Sequence, residues 1–349
     1  MSFDSLRQSA AFSALRDVAA RLGSDPLQIQ GPGGNVSLKQ DGNMLVKASG
    51  TWLADAEKED VFTPVDSAAL KAALLADDPR ADTPQTFLVG EGLRPSIETS
   101  FHAALDAPVV LHTHCVNTIA QSVAGHAAAC RDLGLAVVPY AMPGIKLARA
   151  LLDAWHTGAR GAILVNHGLI AAADTVAEAE RIVRDVAARF DTGSVAPADP
   201  DSNLADALEG TGWRPLGGGA TTALAFDDER RAIGAGPALY PDQAIFLGPA
   251  PIVPEDGETF PAALARQSGP TRSLAILPGL GAAVAPDASP ATVALAEMVG
   301  EVVFRIPDGA TLTRLSDSDI SDLLGWDAEI YRQALEKART ERNAASGAP

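Results

Sequence analysis

Residues 109–114 read VVLHTH, and this short stretch decides much of the fold. Its three apolar residues predict a buried β-strand that ends in two histidines, His112 and His114. Side chains two residues apart on a strand lie on the same face of the sheet. Both imidazoles can therefore reach one metal ion, although a polar strand face would show the same spacing.

A third histidine follows a second apolar run. His167 closely follows residues 162–165, in the sequence Asn166-His167-Gly168, which predicts another strand end. Three neutral imidazoles that leave one coordination position open are the usual ligand set of catalytic zinc. Spacing alone leaves both interpretations open, a metal site and an ordinary polar surface.

Glu98 lies upstream of the histidine pair. Pro95 and Ser96 predict a helix start, which places Glu98 in the first turn and His102 one turn later on the same face. The helix dipole keeps a carboxylate ionised at that position, so Glu98 is suited to accept a proton. The alternative is an ordinary first-turn glutamate.

Glycine-rich turns are candidates for anion binding. The turn at Gly33-Gly34-Asn35 can present backbone amides to an anion, and residues 49–51 add small hydroxyl groups. The segment 279–281 begins like a dinucleotide-binding fingerprint. Val284 stands where the third glycine belongs, so we do not interpret it as a nucleotide site.

Composition and charge exclude several classes of protein. The 349 residues are 47% hydrophobic and 20% charged, which excludes wholesale disorder. Acidic residues outnumber basic ones by 44 to 27, and a net charge of −17 disfavours nucleic acid and anionic membranes as partners. Two cysteines cannot form a disulfide framework, and the N-terminus lacks the pattern of a signal peptide. We expect a cytoplasmic protein with a small-molecule substrate.

The hydrophobic pattern predicts two domains. Helices are predicted at 4–22, 66–76, 97–106, 145–156 and 175–190, and strands at 35–39, 43–48, 108–112, 134–139 and 162–166. This mixture predicts an α/β or α+β domain over residues 1–190. A linker is predicted at 191–202, followed by a second α/β domain at 203–342 with a strand at 274–277 and helices near 289–303 and 327–342.

Four blocks, taken in order, resemble the class II aldolase/adducin family over about the first 190 residues. They are residues 33–37 (GGNVS), 95–98 (PSIE), 112–114 (HTH) and 166–169 (NHGL). The resemblance implies an αβα sandwich around a largely antiparallel sheet. It also implies a homotetramer with active sites between subunits.

The second half carries a more specific resemblance. Residues 240–245, 277–281 and 326–331 are similar to the extended aldolase portion of bifunctional rhamnulose-phosphate aldolase/alcohol dehydrogenase proteins. The chain ends without a complete nucleotide fingerprint. It therefore resembles the aldolase portion standing alone.

The family resemblance also implies roles for individual residues. His112, His114 and His167 would bind Zn²⁺ or another divalent transition metal. Glu98 would be the catalytic acid/base, and Tyr140 would act in the site of a neighbouring subunit. Substrate phosphate would be bound by Gly34, Asn35, Ser49, Gly50 and Ser96. Ile97 departs from the usual pattern of sugar-phosphate aldolases, which have a second serine there, so the phosphate site has one hydroxyl fewer.

The implied activity is reversible aldol cleavage of a ketose 1-phosphate, or a related hydroxy-keto compound, through an enediolate. Two alternatives use the same metal site: decarboxylation of a 3-keto sugar-acid phosphate and 4-epimerisation of a pentulose phosphate. A non-catalytic binding module like the adducin head is an alternative of another class. The complete set of three histidines and Glu98 argues against that module.

Overall fold

The computed structural model describes residues 2–326, and its first half is built on seven strands. They are β1 (Asn35–Gln40), β2 (Asn43–Lys47), β3 (Phe62–Asp66), β4 (Val109–Thr113), β5 (Leu135–Val138), β6 (Gly161–Leu164) and β7 (Gly168–Ala173). They form one sheet in the order β3-β2-β1-β4-β7-β6-β5. Neighbouring strands are antiparallel except β5 and β6, which are parallel.

The five predicted strands are confirmed, with shifts of one or two residues at their ends. The sequence analysis missed β3 and β7. Proline disfavours a strand in the middle of a sheet, but β3, which contains Pro64, lies at the edge, where proline is tolerated. β7 reads GLIAAA, and its alanines have low strand propensity, so its pairing with β4 and β6 decides its conformation.

Seven helices accompany this sheet. They are α1 (Phe3–Arg7), α2 (Ala10–Gly23), α3 (Ser67–Leu75), α4 (Thr99–Ala104), α5 (Val116–Val123), α6 (Ile145–Ala154) and α7 (Val176–Arg189). The helix predicted at 4–22 is in fact two helices. Ser9 has an extended backbone, and its hydroxyl accepts a hydrogen bond from the Phe12 amide, so it caps α2 and separates it from α1.

The two faces of the sheet pack against different helices. On β4, Val109 and Leu111 join the apolar cluster that contains residues of α2 and α7. Val110 points the other way, into the cluster that contains Leu70 of α3 and Phe101 of α4. Two helical layers therefore enclose the sheet, which confirms the expected αβα sandwich. His112 shares the face of Val110 and points toward the α4 layer.

A smaller α/β region follows. Its strands are β8 (Arg214–Pro215), β9 (Leu274–Leu277) and β10 (Gly281–Val284), paired in the order β8-β10-β9. Its helices are α8 (Leu204–Ala207), α9 (Ala220–Ala223), α10 (Asp228–Gly234), α11 (Pro241–Leu247), α12 (Phe260–Ala265), α13 (Pro290–Phe304) and α14 (Asp317–Leu324). The predicted strand at 274–277 and helix at 289–303 are confirmed.

Residues 278–280 connect two antiparallel strands, β9 and β10. A dinucleotide fingerprint needs a turn from a strand into a helix. The topology thus agrees with our rejection of residues 279–281 as a nucleotide site.

Contacts divide the chain into two compact units. One comprises residues up to Ser122 together with His126–Asp191, and the other comprises Val123–Gly125 and the chain from Thr192 onward. Within the predicted linker, Ala198 forms an isolated bridge to Gly219 of the second unit. The boundaries at 190, 202 and 342 stay predictions. The helix predicted at 327–342 and most of the block 326–331 lie outside the described residues.

Between residues 2 and 326, no helix combines the length and the apolarity that a membrane span requires.

A substitution at Gly168 tests whether β7 must pack closely against β4. Its φ of +157° and the space around it exclude a side chain, because a Cβ there would lie 2.1 Å from the carbonyl oxygen of Thr113. We expect Gly168→Ala to lower the free energy of unfolding by more than about 2 kcal/mol, measured by urea denaturation. Gly217→Ala is the control, because a Cβ at Gly217 meets no atom within 4 Å. Equal stability of the two variants would contradict this account.

Candidate metal centre

Two histidines are positioned by a central strand. His112 pairs with Asn35 of β1 on one side and with Ile170 of β7 on the other. Its Nδ1 donates to the carbonyl oxygen of Leu169 at 3.0 Å, so the lone pair resides on Nε2. The Nε2 atoms of His112 and His114 lie 3.0 Å apart. The two rings therefore present nitrogens to one point, as the strand spacing predicts.

His167 lies in the turn between β6 and β7. β6 ends at Leu164 and β7 begins at Gly168, so His167 lies in the turn directly before β7 rather than at the end of the apolar strand. Asn166 before it has a φ of 63°, and this left-handed residue turns the chain back on itself. The ring centroid of His167 lies 4.9 Å from that of His112 and 5.0 Å from that of His114.

Glu98 completes the group. It is the N-cap of α4, one residue before the helix, rather than a member of its first turn. Its Oε1 lies 3.2 Å from Nε2 of His167, and its Oε2 lies 3.7 Å from Nε2 of His112. Asn35 donates to Oε2 from Nδ2 at 2.7 Å.

These four side chains fit a divalent transition metal. One ligand atom from each lies within 4.8 Å of all the others, and all four residues are buried. A tetrahedral ion with bonds of 2.0–2.1 Å places its ligand atoms about 3.3 Å apart, close to the separations here. Among residues 2–326, no donor makes a hydrogen bond to the buried Oε1 of Glu98. A cation would satisfy that oxygen.

Burial sets the protonation states. It lowers the pKa of His112 to about 3, so the ring is neutral at pH 7 and can bind a metal. Burial alone would raise the pKa of Glu98, but the electrostatic interaction with His112 and the contact with His167 outweigh it and hold that pKa below its usual value. The cluster therefore combines a neutral His112 ring with an ionised carboxylate.

The residues implied to bind phosphate belong to three adjacent segments. The amide of Ser49 donates to the carbonyl oxygen of Arg94 at 2.8 Å, and Ala48 bridges Pro95, which brings Ser49 and Gly50 beside the segment of Ser96. The glycine turn is connected to β2 by the buried Lys47. Its Nζ donates to the carbonyl oxygens of Pro32 at 2.6 Å and Gly34 at 3.1 Å. The sequence analysis overlooked Lys47, a basic residue that directly follows the apolar residues 44–46 of β2.

Other expected residues stand apart from the cluster. Tyr140 lies two residues beyond β5, is half-buried, and is not among the four clustered side chains. His126 and His156 are exposed, and both cysteines are buried free thiols.

A cleft of about 970 Å³ in the second unit is lined by five carboxylate residues, yet residues 2–326 contain no other group suited to a metal. Its carboxylate residues are Asp206, Glu209, Glu255, Asp256 and Glu258.

Comparison with known proteins identifies the first unit. Residues 17–187 match the family model described as the class II aldolase and adducin N-terminal domain. This segment is a class II aldolase domain. The buried His₃Glu cluster thus lies within a class II aldolase domain of mixed α/β fold, and the smaller α/β region follows it.

Several solved structures resemble the chain. The N-terminal class II aldolase domain of a conserved protein from Thermoplasma acidophilum is 26% identical, with 54% of this chain and 94% of that chain covered and a TM-score of 0.47. YgbL from Klebsiella pneumoniae is 21% identical (52% and 89% covered, TM-score 0.40). L-fuculose-1-phosphate aldolase from Thermus thermophilus is 18% identical (52% and 88% covered, TM-score 0.36). No curated protein matches the chain significantly.

The lowered pKa of His112 predicts acid-sensitive stability of the metal-free protein. Between pH 6.5 and 5 the unfolded chain binds a proton at this histidine and the folded chain does not, so the free energy of unfolding falls with pH. The expected slope is up to about 1.4 kcal/mol per pH unit for each such proton. Urea denaturation in the presence of a chelator measures it.

His112→Asn should reduce this slope, whereas His156→Asn, at an exposed histidine, should leave it unchanged. An identical slope in His112→Asn and the unsubstituted protein would show that the buried ring contributes nothing to the pH dependence.

Proposed function

We propose that the protein is a metal-dependent class II aldolase that reversibly cleaves a ketose 1-phosphate or a related hydroxy-keto compound through an enediolate. The observation that carries this proposal is the buried cluster of Glu98, His112, His114 and His167 inside a class II aldolase domain. A binding module gains nothing from burying three imidazoles and a carboxylate together, because each loses hydration.

His112, His114 and His167 would hold the ion, which we propose to be Zn²⁺ or another divalent transition metal. When bound, such an ion acts as a Lewis acid that stabilises negative charge developing on substrate oxygens. Glu98 would move the proton at the substrate carbon beside the carbonyl group. Its Oε2 accepts a hydrogen bond from Asn35, so Oε1, which lies 3.2 Å from Nε2 of His167, would be the oxygen that moves the proton.

Tyr140 would transfer a proton at the aldehyde oxygen. The family resemblance implies that it would do so in the site of a neighbouring subunit, in a homotetramer. A tyrosine hydroxyl can both donate and accept a proton, as a reversible cleavage requires.

An anionic end of the substrate would be bound by backbone and hydroxyl groups. Gly34, Ser49, Gly50 and Ser96 lie on adjacent segments, and the buried Lys47 holds the glycine turn through its hydrogen bond to the carbonyl oxygen of Gly34. With a net charge of −17, only such local groups can attract an anion. Ile97 removes one hydroxyl, so an uncharged hydroxy-keto substrate belongs within the proposal.

The test is a cleavage assay of the Zn²⁺-loaded protein on ketose 1-phosphates, free ketoses and 3-keto sugar-acid phosphates. We expect an aldehyde and dihydroxyacetone phosphate or its free analogue as products, and loss of turnover after chelation that added Zn²⁺ restores. Release of carbon dioxide would instead identify a decarboxylase, and 4-epimerisation of a pentulose phosphate an epimerase. Stoichiometric metal without any turnover would support the binding module.

Mixed oligomers test whether Tyr140 acts across subunits. We expect Glu98→Gln and Tyr140→Phe each to lower kcat by at least about 100-fold. If each site takes Glu98 from one subunit and Tyr140 from its neighbour, co-expression of the two variants should restore roughly one quarter of the sites. Activity no greater than that of the separate variants would place both residues in one chain. Glu57→Gln, at an exposed residue, is the control.

A further inference from the structure

A chain of buried hydrogen bonds leads to the carboxylate of Glu98. The Ser37 hydroxyl lies 2.8 Å from Nδ1 of His102, and Nε2 of His102 is hydrogen-bonded to Oδ1 of Asn35. Nδ2 of Asn35 then donates to Oε2 of Glu98 at 2.7 Å. Ser37 and His102 are fully buried and Asn35 is 2% exposed, so solvent cannot replace any of these partners.

Local periodicity brings the four residues together. Asn35 and Ser37 are two apart on β1 and share the face opposite Val36 and Leu38, which pack into the core. Glu98 and His102 are four apart at the start of α4, so they also lie on one side. The strand and the helix thus present matched pairs of polar groups to each other.

Only one assignment of donors and acceptors satisfies all the hydrogen bonds of this chain. An amide oxygen only accepts, so Asn35 requires a proton on Nε2 of His102, and Nδ1 is then free to accept from the Ser37 hydroxyl. Burial, followed by the charge of Lys39, holds the pKa of His102 well below its usual value, which provides the neutral ring. Rotating the amide of Asn35 by 180° would place its oxygen against the carboxylate. The network therefore fixes the amide and, through it, Oε2 of Glu98.

The imidazole of His102 is itself immobilised. The ring of Phe101 stacks on it, with centroids 4.7 Å apart. Nζ of Lys39 donates to the carbonyl oxygens of His102 and Leu105, which anchors the end of α4 to β1. Because these contacts restrict its movement, the His102 ring keeps a fixed orientation toward the side chains that hydrogen-bond to it.

We propose that His102, acting through Asn35, is a positioning residue that fixes the carboxylate of Glu98 against the metal ligands. This inference rests on the proposed function, in which Glu98 moves a proton. It gives the Asn35 side chain a different task from the phosphate contact that the family resemblance implies. Positioning of Glu98 serves every substrate, whereas a phosphate contact serves only phosphorylated ones.

The decisive variants are His102→Leu, His102→Gln and Asn35→Ala. Zn²⁺ affinity is measured by competition with a chromogenic chelator, and kcat and KM on free and phosphorylated ketoses. We expect His102→Leu and Asn35→Ala to weaken Zn²⁺ binding and lower kcat by about 10- to 100-fold, with smaller changes in KM. His102→Gln keeps an amide donor for Asn35 and an acceptor for Ser37, so it should recover most of both losses.

Two further measurements separate positioning from a merely structural role. The double variant His102→Leu/Asn35→Ala should lose no more than the worse single variant, because both substitutions break one chain. His126→Gln is the matched control, since His126 also bonds an amide oxygen, that of Gln121, at 2.9 Å, but outside the cluster. It should change neither Zn²⁺ affinity nor kcat.

The outcomes distinguish this inference from the proposed function. If the protein cleaves no ketose, yet His102→Leu weakens Zn²⁺ binding and His102→Gln restores it, positioning stands and the aldolase proposal fails. If cleavage occurs but Asn35→Ala raises only the KM for phosphorylated substrates, with kcat and Zn²⁺ affinity unchanged, positioning is overturned. Should His102→Leu not fold, His102→Gln and Asn35→Ala decide the question by the same criteria.

Discussion

The pairing of β4 with β1 and β7 is the constraint on which the candidate metal centre depends. β1 sets Asn35 opposite His112, and β7 supplies the Leu169 carbonyl that orients the ring. The close approach at Gly168 brings His167 to the same place. Because sheet registers change only in whole residues, a slip of either neighbour would turn these side chains to the opposite face. The metal centre can therefore form only when these strands pair in the correct register.

The cost of burying polar groups shapes the rest of the site. Four ionisable side chains lie within 4.8 Å of one another in a region that excludes water. Such groups are stable there only with partners: Nδ1 of His112 donates to Leu169, and Glu98 lies between Asn35 on one side and the imidazoles on the other. This arrangement is preorganised, since little reorientation is needed to hold a cation or to move a proton.

The sequence predicted a mixed α/β domain and the histidine positions because both follow from short-range periodicity, whereas the sandwich itself was implied by the family resemblance. Strand alternation placed His112 and His114 on one face, and the apolar run before His167 indicated a neighbouring strand. It could not predict β3 or β7, where edge position and neighbouring strands override local propensity. It also noted His102 only as a neighbour of Glu98, because the link through Asn35 joins residues 67 positions apart. Such a bond has no local signal.

The depth of the cluster has a consequence for how a metal would enter and leave. His112 has no exposed surface, and His114 and His167 are 4% and 5% exposed, so a chelator could approach a bound ion only at its open coordination position and not from the side of the histidine nitrogens. Exchange would wait for a local opening of the chain, and two of the histidines lie outside regular secondary structure: His167 in the turn at 165–167 and His114 directly after β4. Above a modest concentration, added chelator would not accelerate metal release further. The rate of metal release would then be limited by the rate of this local opening.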